Sequence, residues 1–376
     1  MARWIKNLLL TTLLCLALPA LAQPLRHQVL AVGLAHPWSL AFLPNGRFLV
    51  TERPGRLRVI EADGRVNPAL TGLPEVAAGG QGGLLDVLLD ADFARNHTLF
   101  FCFSEPGAGG NSTALARARL SNDRTRLVAV QVIFSARPKV ASSAHFGCRL
   151  AESQTQGKPD GLLFMTLGER YLRKDDAQTL GNHHGKIIRL FKDGRVPPDN
   201  PFVTTAGALP EIWSYGHRNP QGLVLTPDGT LWAHEHGPQG GDEINLIAPG
   251  RNYGWPAITY GENYGGGPIG AGLSAKAGMT QPLHYWVPSI APSGMAFVTS
   301  TRYGSHWVGN LLVGSLKFGY LNRIELSKPF GGRVLREHPL LAELGERIRD
   351  VRQGPDGLLY VLTDHAQGHL IRLMPP

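Results

Sequence analysis

The segment from residue 215 to residue 255 places polar side chains among glycines and prolines, where a buried strand would carry neither. Its first part holds the guanidinium of Arg218 next to the amides of Asn219 and Gln221. A cation and amides that turn-forming residues hold in place are suited to an anionic ligand. The pattern therefore predicts a binding site.

The second part of the same segment offers oxygen atoms. Gly237 and Pro238 form a loop with free backbone carbonyls, and Asp242 and Glu243 are adjacent carboxylates. Hard metal ions prefer such oxygen ligands. Spacing alone leaves two interpretations of Asp242 and Glu243 open: a solvated acidic turn, or carboxylates that support the Gly237-Pro238 loop and a cation.

His145 is the candidate general base. It stands directly before Phe146 and Gly147, between a polar loop and an apolar run. This context predicts a histidine at a strand end with its imidazole open to a cleft, where its pKa suits proton abstraction. The alternative, a surface or core histidine, stays open because the chain has 14 histidines.

Other candidate ligand contacts are scattered along the chain. Gln81 lies in a glycine-rich loop, where its amide can either bind a ligand or meet water. Lys317, Arg347 and Arg349 form a basic set in the last third. Because Arg347 and Arg349 are two residues apart, they face the same side of a strand. They form either a solvated face or, around a central channel, a clamp for carboxylates.

Several motifs of other enzyme classes are missing from the sequence. It has no Gly-Lys-Ser/Thr phosphate loop, Cys-x-x-Cys pair, His-Glu-x-x-His motif or Gly-x-Ser-x-Gly elbow. Kinases, zinc enzymes and hydrolases with those signatures are therefore disfavoured.

The elements that must position these residues are short strands. A Pro-Asn/Asp-Gly turn with an apolar strand after it predicts a tight hairpin. Four such turns and two weaker copies make six repeats. The turns are Pro44-Asn45-Gly46, Pro159-Asp160-Gly161, Pro227-Asp228-Gly229 and Pro355-Asp356-Gly357, and the weaker copies are residues 95–100 and 308–313.

A further strand that mixes apolar and basic residues follows in several repeats, at residues 57–60, 185–190, 322–326 and 369–373. Six repeats predict an all-β fold, a six-bladed β-propeller with four-stranded antiparallel blades. A pair of β-sandwiches is disfavoured because the repeats recur without a linker. The glycine-rich residues 264–278 are expected to form a flexible loop at the rim of the site, not a dinucleotide-binding turn, since no strand precedes them.

The N-terminus has the features of a secretory signal peptide. Arg3 and Lys6 precede an uncharged run over residues 7–18 and an Ala-Leu-Ala sequence at residues 20–22. This pattern predicts a signal peptide over residues 1–22 and one propeller domain over residues 23–376, mature from about Gln23 and periplasmic or secreted. An uncleaved anchor is the alternative, but the run is shorter than the roughly 20 residues of a membrane span.

The mature chain would keep two cysteines and a basic balance. Cys102 and Cys148 are either buried thiols or one bridge. The formal charge of +8 falls to about +6 without the first 22 residues and has no blocks. The sequence therefore predicts no nucleic-acid arm, although a basic chain favours an acidic ligand.

Taken together, these segments resemble the soluble pyrroloquinoline quinone (PQQ) dependent sugar dehydrogenases, the glucose/sorbosone dehydrogenase family, and most closely its bacterial aldose sugar dehydrogenase branch. The resemblance runs from about Leu34 to the C-terminus and is most specific at residues 215–223, 237–245, 252–256 and 349–357. It implies a PQQ- and calcium-dependent enzyme that oxidises aldoses at C1 to lactones and passes electrons to a quinone or carrier, as a monomer or homodimer without a stable membrane span.

The resemblance also implies residue roles. His145 matches the base, Arg218 would stabilise charge on the quinone oxygen, and the carbonyls of Gly237 and Pro238 match ligands of calcium. Asp242 and Glu243 would support that loop or form a second metal site. The implied cofactor contacts are Gln81, Arg218, Asn219, Gln221, Lys317, Arg347 and Arg349.

Two alternatives belong to other functional classes. A non-catalytic propeller that acts as a binding module is disfavoured because both His145 and Arg218 are present. A calcium-dependent, lactonase-type hydrolase would need carboxylates that converge on the metal.

The chain departs from the family pattern around the predicted base. Ala144 stands where the glucose-oxidising branch has an acidic residue, and Cys148 replaces a usual serine. Residues 167–171, Leu-Gly-Glu-Arg-Tyr, stand in place of Gly-Asp-Arg-Gly. The orientation of the imidazole and the shape of the substrate mouth are therefore expected to differ.

Overall fold

The structure, a computed structural model, describes residues 25–155 and 157–375. The predicted signal peptide lies outside the described residues. The strands are β1 (Arg26–Leu34), β2 (Pro37–Leu43), β3 (Arg47–Glu52), β4 (Arg56–Ile60), β5 (Val66–Ala69), β6 (Leu84–Leu89), β7 (Thr98–Gly107), β8 (Gly110–Leu120), β9 (Leu127–Ser135), β10 (Gly147–Thr155), β11 (Lys158–Leu167), β12 (Lys186–Phe191), β13 (Ile212–Tyr215), β14 (Pro220–Leu225), β15 (Leu231–Glu235), β16 (Asp242–Ile247), β17 (His284–Trp286), β18 (Pro292–Phe297), β19 (Leu311–Ser315), β20 (Leu321–Lys328), β21 (Gly331–Leu340), β22 (Ile348–Gln353), β23 (Leu359–Thr363) and β24 (Gly368–Met374).

The strands form six four-stranded antiparallel sheets. Blades 1 to 5 are β2–β5, β6–β9, β10–β13, β14–β17 and β18–β21, and blade 6 combines β22–β24 with β1. The first strands, β2, β6, β10, β14, β18 and β22, contact one another in cyclic order. They therefore surround a central axis, and the predicted six-bladed propeller is confirmed.

Helical structure is sparse in the part of the chain that the structure describes. It comprises one helical turn, α1 (Phe93–Asn96), and four 3₁₀ segments. No helix among these residues has the length and apolar character needed to cross a membrane. The 3₁₀ segments are Lys174–Gln178, Thr301–Tyr303, Ser305–Trp307 and Ala342–Leu344.

Most of the predicted turns join the first and second strands of a blade. The Pro44, Pro227 and Pro355 turns do so in blades 1, 4 and 6, and the two weaker copies do so in blades 2 and 5. The Pro159-Asp160-Gly161 prediction is wrong, because these residues lie within β11. The chain has already turned at Gly157, whose φ of +73° supplies the left-handed conformation, so Thr155 pairs with Lys158.

Apolar side chains pack between neighbouring blades. For example, Leu49 and Val59 of blade 1 belong to the same buried cluster as Leu99 and Phe101 of blade 2. Each blade thus buries both faces, and the hydrophobic core forms a ring around the axis rather than one central core.

Charged side chains from the innermost strands meet at the propeller axis. The guanidinium of Arg149 on β10 lies 3.2 Å from a carboxylate oxygen of Asp86 on β6 and 3.2 Å from one of Asp350 on β22. Arg352 pairs with the same two carboxylates. Two cations and two anions therefore compensate one another and join three innermost strands.

Candidate active site

Two kinds of loop meet at one end of the propeller. One kind precedes the innermost strand of a blade, and the other follows its second strand. Because the two strands are antiparallel, both loops lie at the same end of the sheet. The first kind carries His36, Gln81, His145, Asn219 and Arg347, and the second carries Arg53, Glu169, His236, Leu316 and Asp364.

These loops enclose a cavity of about 470 Å³ on the axis. Trp38, Leu85 and Phe146 provide apolar parts of its wall. Five residues predicted from the sequence line the same cavity: Gln81, Asn219, Gln221, Arg347 and Arg349. The structure therefore brings together side chains that are up to 268 positions apart in the sequence.

Arg218 and Gly237 line a narrower cavity that shares His236 with the first. Lys317 is the exception among the predicted contacts. Its side chain is exposed, with the ammonium 5.2 Å from the ring centroid of Phe318, while the preceding residue, Leu316, lines the main cavity. The structure therefore places Lys317 at the rim rather than in the wall.

His145 lies two residues before the start of β10, at a strand end as predicted, but its side chain is more enclosed than the sequence indicates. The residue is 4% exposed, and its backbone N–H donates to the amide oxygen of Gln81 over 2.8 Å. Burial lowers the pKa of His145, Glu169 raises it in part, and Arg218 lowers it again. The imidazole is therefore neutral, and able to accept a proton, over a wider pH range than a free histidine.

Glu169 places a carboxylate beside His145, although the residue directly before His145 is the apolar Ala144. Its Oε1 lies 3.1 Å from Nδ1 of His145, close enough for an ion pair though off the line of an ideal hydrogen bond. The backbone N–H of Glu169 donates to the carbonyl of Arg218 over 2.9 Å. The segment that departs from the family pattern thus links the candidate base to the candidate cation, and it contacts Nδ1 of His145 rather than Nε2.

Arg218 is held on both its backbone and its side chain. Its backbone N–H donates to Oε2 of Glu235 over 2.5 Å, and its Nη1 donates to the Gly237 carbonyl over 2.7 Å. The guanidinium carbon lies 5.2 Å from the ring centroid of Trp255. The buried Nε of Arg218 has no hydrogen-bond partner among the described residues, so it can still donate to a ligand.

Three arginines and one carboxylate form the basic wall of the main cavity. Nη2 of Arg349 lies 2.5 Å from Oδ2 of Asp364, and Nη2 of Arg347 lies 3.7 Å from the same oxygen. Arg53 also lines this wall. Burial opposes ionisation of Asp364, but Arg349 and Arg53 hold the pKa of its carboxyl well below its usual range. The wall keeps a net positive charge that suits a ligand with several carboxylates.

Asp242 supports the Gly237-Pro238 loop. Its carboxylate accepts hydrogen bonds from the N–H of Gly237 over 2.8 Å, of Ile290 over 2.7 Å and of Ala291 over 2.9 Å, and from the Ser289 hydroxyl. A carboxylate with this many donors is fixed in place. Of the two interpretations left open by the sequence, the geometry supports the one in which Asp242 braces the loop.

Glu243 has a different environment. It pairs across the sheet with Glu235, and the amide of Asn245 donates to both carboxylates over 3.2 Å. Burial and the neighbouring Glu235 raise the pKa of Glu243 to about 8. Two facing carboxylates of this kind are stabilised by a cation or by a shared proton.

The two cysteines of the described chain form a disulfide. Cys102 on β7 and Cys148 on β10 are bonded, with their Cα atoms 5.8 Å apart. The alternatives left by the sequence are thus resolved in favour of a bridge. It joins blade 2 to blade 3 three residues after His145.

Sequence reasoning missed four residues of the site, namely His36, Trp38, Arg53 and Asp364, and assigned no individual role to Glu169 and His236. Four of these directly follow the second strand of a blade: Arg53, His236 and Asp364 by one position, and Glu169 by two. The periodic turns predict those strands, so charged residues at the strand ends are the sequence signal for these positions.

The fold and the site define a six-bladed β-propeller with a basic axial cavity and a buried histidine on one of the loops around it. The chain belongs to the glucose/sorbosone dehydrogenase family, whose profile matches residues 34–372.

The chain is similar to the aldose sugar dehydrogenase YliI of Escherichia coli (strain K12), with 43% identity over 376 residues, 98% of this chain and 99% of the relative. A crystal structure of a glucose dehydrogenase matches with a TM-score of 0.88 and 47% identity, over 93% of this chain and 100% of that chain. The PQQ-bound aldose sugar dehydrogenase of Streptomyces coelicolor matches with a TM-score of 0.73 and 28% identity, over 93% and 99% of the two chains.

Proposed function

We propose that the protein is a PQQ- and calcium-dependent dehydrogenase that oxidises aldose sugars at C1 to lactones. The observation that carries this proposal is the basic wall of the axial cavity, with Arg53, Arg347 and Arg349, in a cavity that the loop of the buried His145 also lines through Phe146 and Gly147. The name of the Escherichia coli relative and the PQQ in the Streptomyces structure support the same activity.

The residues of the cavity fit PQQ, which carries three carboxylates. Arg347 and Arg349 face the cavity with one counter-charge, Asp364, and the buried Nε of Arg349 has no partner among the described residues. Gln81, Asn219 and Gln221 would add amide contacts, and Lys317 would reach a carboxylate from the rim. Bound PQQ supplies a hydride acceptor.

His145 would remove the proton of the C1 hydroxyl through Nε2 while the hydrogen on C1 leaves as hydride. The O–H and C1–H bonds break, the C1–O double bond of the lactone forms, and the proton later passes from His145 to water. Glu169 would hold the imidazole with Nδ1 directed away from the sugar. The fixed positive charge of Arg218 would stabilise the negative charge that develops on the quinone oxygen.

Calcium would bind the backbone carbonyls of Gly237 and Pro238. Because Nη1 of Arg218 donates to the Gly237 carbonyl in the structure, this guanidinium would share or yield that oxygen when the ion binds. Asp242 would brace the loop. The facing carboxylates of Glu235 and Glu243 would form a second cation site, since a divalent ion relieves their repulsion.

The alternatives fit the geometry less well. A lactonase-type hydrolase requires carboxylates that converge on a metal, whereas the main cavity presents three arginines. A binding module does not require the contact between Glu169 and the imidazole of His145. We place the enzyme in the periplasm or outside the cell after removal of residues 1–22, with a quinone or a carrier as electron acceptor.

Reconstitution tests the proposal. Apoprotein would be titrated with PQQ in the presence and absence of calcium, and reduction of an artificial dye would be followed with a panel of aldoses. We expect saturable PQQ binding and PQQ-dependent dye reduction, and we expect His145→Ala to bind PQQ but not to turn over. If the wild-type protein neither binds PQQ nor reduces the dye with any aldose, the proposal is wrong.

A further inference from the structure

Tyr171 is an exposed aromatic residue beside the candidate base. Its ring centroid lies 5.3 Å from that of the His145 imidazole, at an interplanar angle of 79°. The residue is nevertheless 48% exposed, and the next residue, Leu172, is also exposed. An exposed aromatic face next to a candidate catalytic group is available to contact a bound ligand.

The position of Tyr171 is fixed by its neighbour. The buried side chain of Arg170 donates from Nη2 to Oδ1 of Asn111 over 2.6 Å and to the carbonyl of Ser142 over 2.6 Å. Its guanidinium carbon lies 3.5 Å from the ring centroid of Phe146, and its backbone N–H donates to the His145 carbonyl. The segment that carries Tyr171 is therefore anchored to the loop that carries the base.

The backbone directs the two side chains differently. Arg170 and Tyr171 have φ values of +67° and +65°, a left-handed conformation that is unfavourable for residues other than glycine. Two such residues in succession turn the chain sharply. The Arg170 side chain is buried and the Tyr171 ring remains exposed, so the turn leaves an aromatic surface in solvent beside the His145 imidazole.

A pyranose has one face of C–H groups, which packs on an aromatic ring, and a rim of hydroxyls, which do not. We infer that Tyr171 is the platform on which the aldose ring stacks, so that its C1 hydroxyl is directed to Nε2 of His145. This inference rests on the proposed function. It assigns Tyr171 a role in substrate binding through its aromatic face rather than through its hydroxyl.

Three variants test the platform. Tyr171→Ala should raise KM for the preferred aldose about tenfold or more, with kcat within about threefold of wild type, because stacking acts on the bound ground state and transition state alike. Tyr171→Phe keeps the aromatic face and should leave KM within about twofold. Leu335→Ala, on the outermost strand β21 and of similar exposure at 51%, is the control and should match wild type.

A second measurement separates this inference from the proposed function. Saturation-transfer NMR reports aldose binding without turnover, and PQQ titration reports cofactor binding. Loss of the sugar signal in Tyr171→Ala, with PQQ affinity unchanged, supports the platform even if the wild-type enzyme does not reduce the dye. An active wild type with equal KM values and equal sugar signals in all variants overturns the platform and leaves the proposed function intact.

Discussion

At the scale of residues, the candidate base depends on its neighbours more than on its own sequence context. His145 was identified from the adjacent Phe146 and Gly147, but its enclosure and its contact with Glu169 arise from residues in other loops. Arg347 and Arg349 could be predicted to share a face because a strand has a period of two. Their shared partner, Asp364, could not, because it depends on how β22 and β23 align.

The pH dependence of the activity follows from the environment of His145. Only the neutral imidazole accepts a proton, and burial lowers its pKa below the ordinary 6.5. The acid limb of kcat/KM should therefore lie below pH 6.5. Because Glu169 raises the pKa of His145, Glu169→Gln should move the limb to still lower pH, and loss of the orienting partner should lower kcat by about 10- to 100-fold.

Profiles of kcat/KM against pH for both proteins measure this shift. Glu211→Gln is a matched control, because Glu211 contacts His183, another buried histidine, over 2.8 Å outside the site. A Glu169→Gln profile with its acid limb at or above that of wild type would contradict the assigned contact.

At the scale of elements, strands and turns were predictable because they depend on local chemistry. A Pro-Asn/Asp-Gly sequence specifies a turn wherever the neighbouring strands pair around it, as it does in blades 1, 4 and 6. In blade 3 the β10–β11 hairpin turns at Gly157, before Pro159. There the pairing of the two strands overrides the local turn preference.

The disulfide is the covalent link between two elements. It joins β7 to β10 across a sequence separation of 46 residues. Closing a loop of this length lowers the conformational entropy of the unfolded chain. The double variant Cys102→Ala/Cys148→Ala should lose about 2–4 kcal/mol of unfolding free energy. Urea unfolding without reductant measures the loss.

Reductant provides the control for that experiment. It should lower the unfolding midpoint of the wild type towards that of the double variant and should leave the double variant unchanged. Equal midpoints for the two proteins without reductant would show that the bridge does not stabilise the fold.

At the scale of the whole molecule, the propeller was predictable from the number of repeats, but the way in which the ring closes was not. Blade 6 takes three strands from the C-terminal part of the chain and β1 from the N-terminal part, and β1 pairs with β24 from Arg26↔Met374 to Leu34↔Gly368 with two register shifts between Val29 and Leu34. The basic wall spans this junction, because Arg53 belongs to blade 1 whereas Arg347 and Arg349 belong to blade 6. Closure therefore also sets the geometry of the axial cavity.

Ring closure can be weakened by one substitution on β1. Leu34 is 0% exposed and packs with residues of both blade 6 and blade 1, so Leu34→Ala should lower the unfolding free energy by about 2–5 kcal/mol. Val32 lies on the same strand but is 61% exposed, and Val32→Ala should change that free energy by no more than about 0.5 kcal/mol.

Urea unfolding followed by tryptophan fluorescence compares the two variants, and PQQ titration compares their cavities. Because blades 1 and 6 both contribute to the basic wall, Leu34→Ala should also weaken PQQ binding at urea concentrations below the unfolding transition, whereas Val32→Ala should not. Removal of residues 25–34 should have a larger effect, since it leaves β24 as an unpaired edge. Equal unfolding midpoints for Leu34→Ala and Val32→Ala would mean that the packing of β1 between blades 6 and 1 does not stabilise the closed ring.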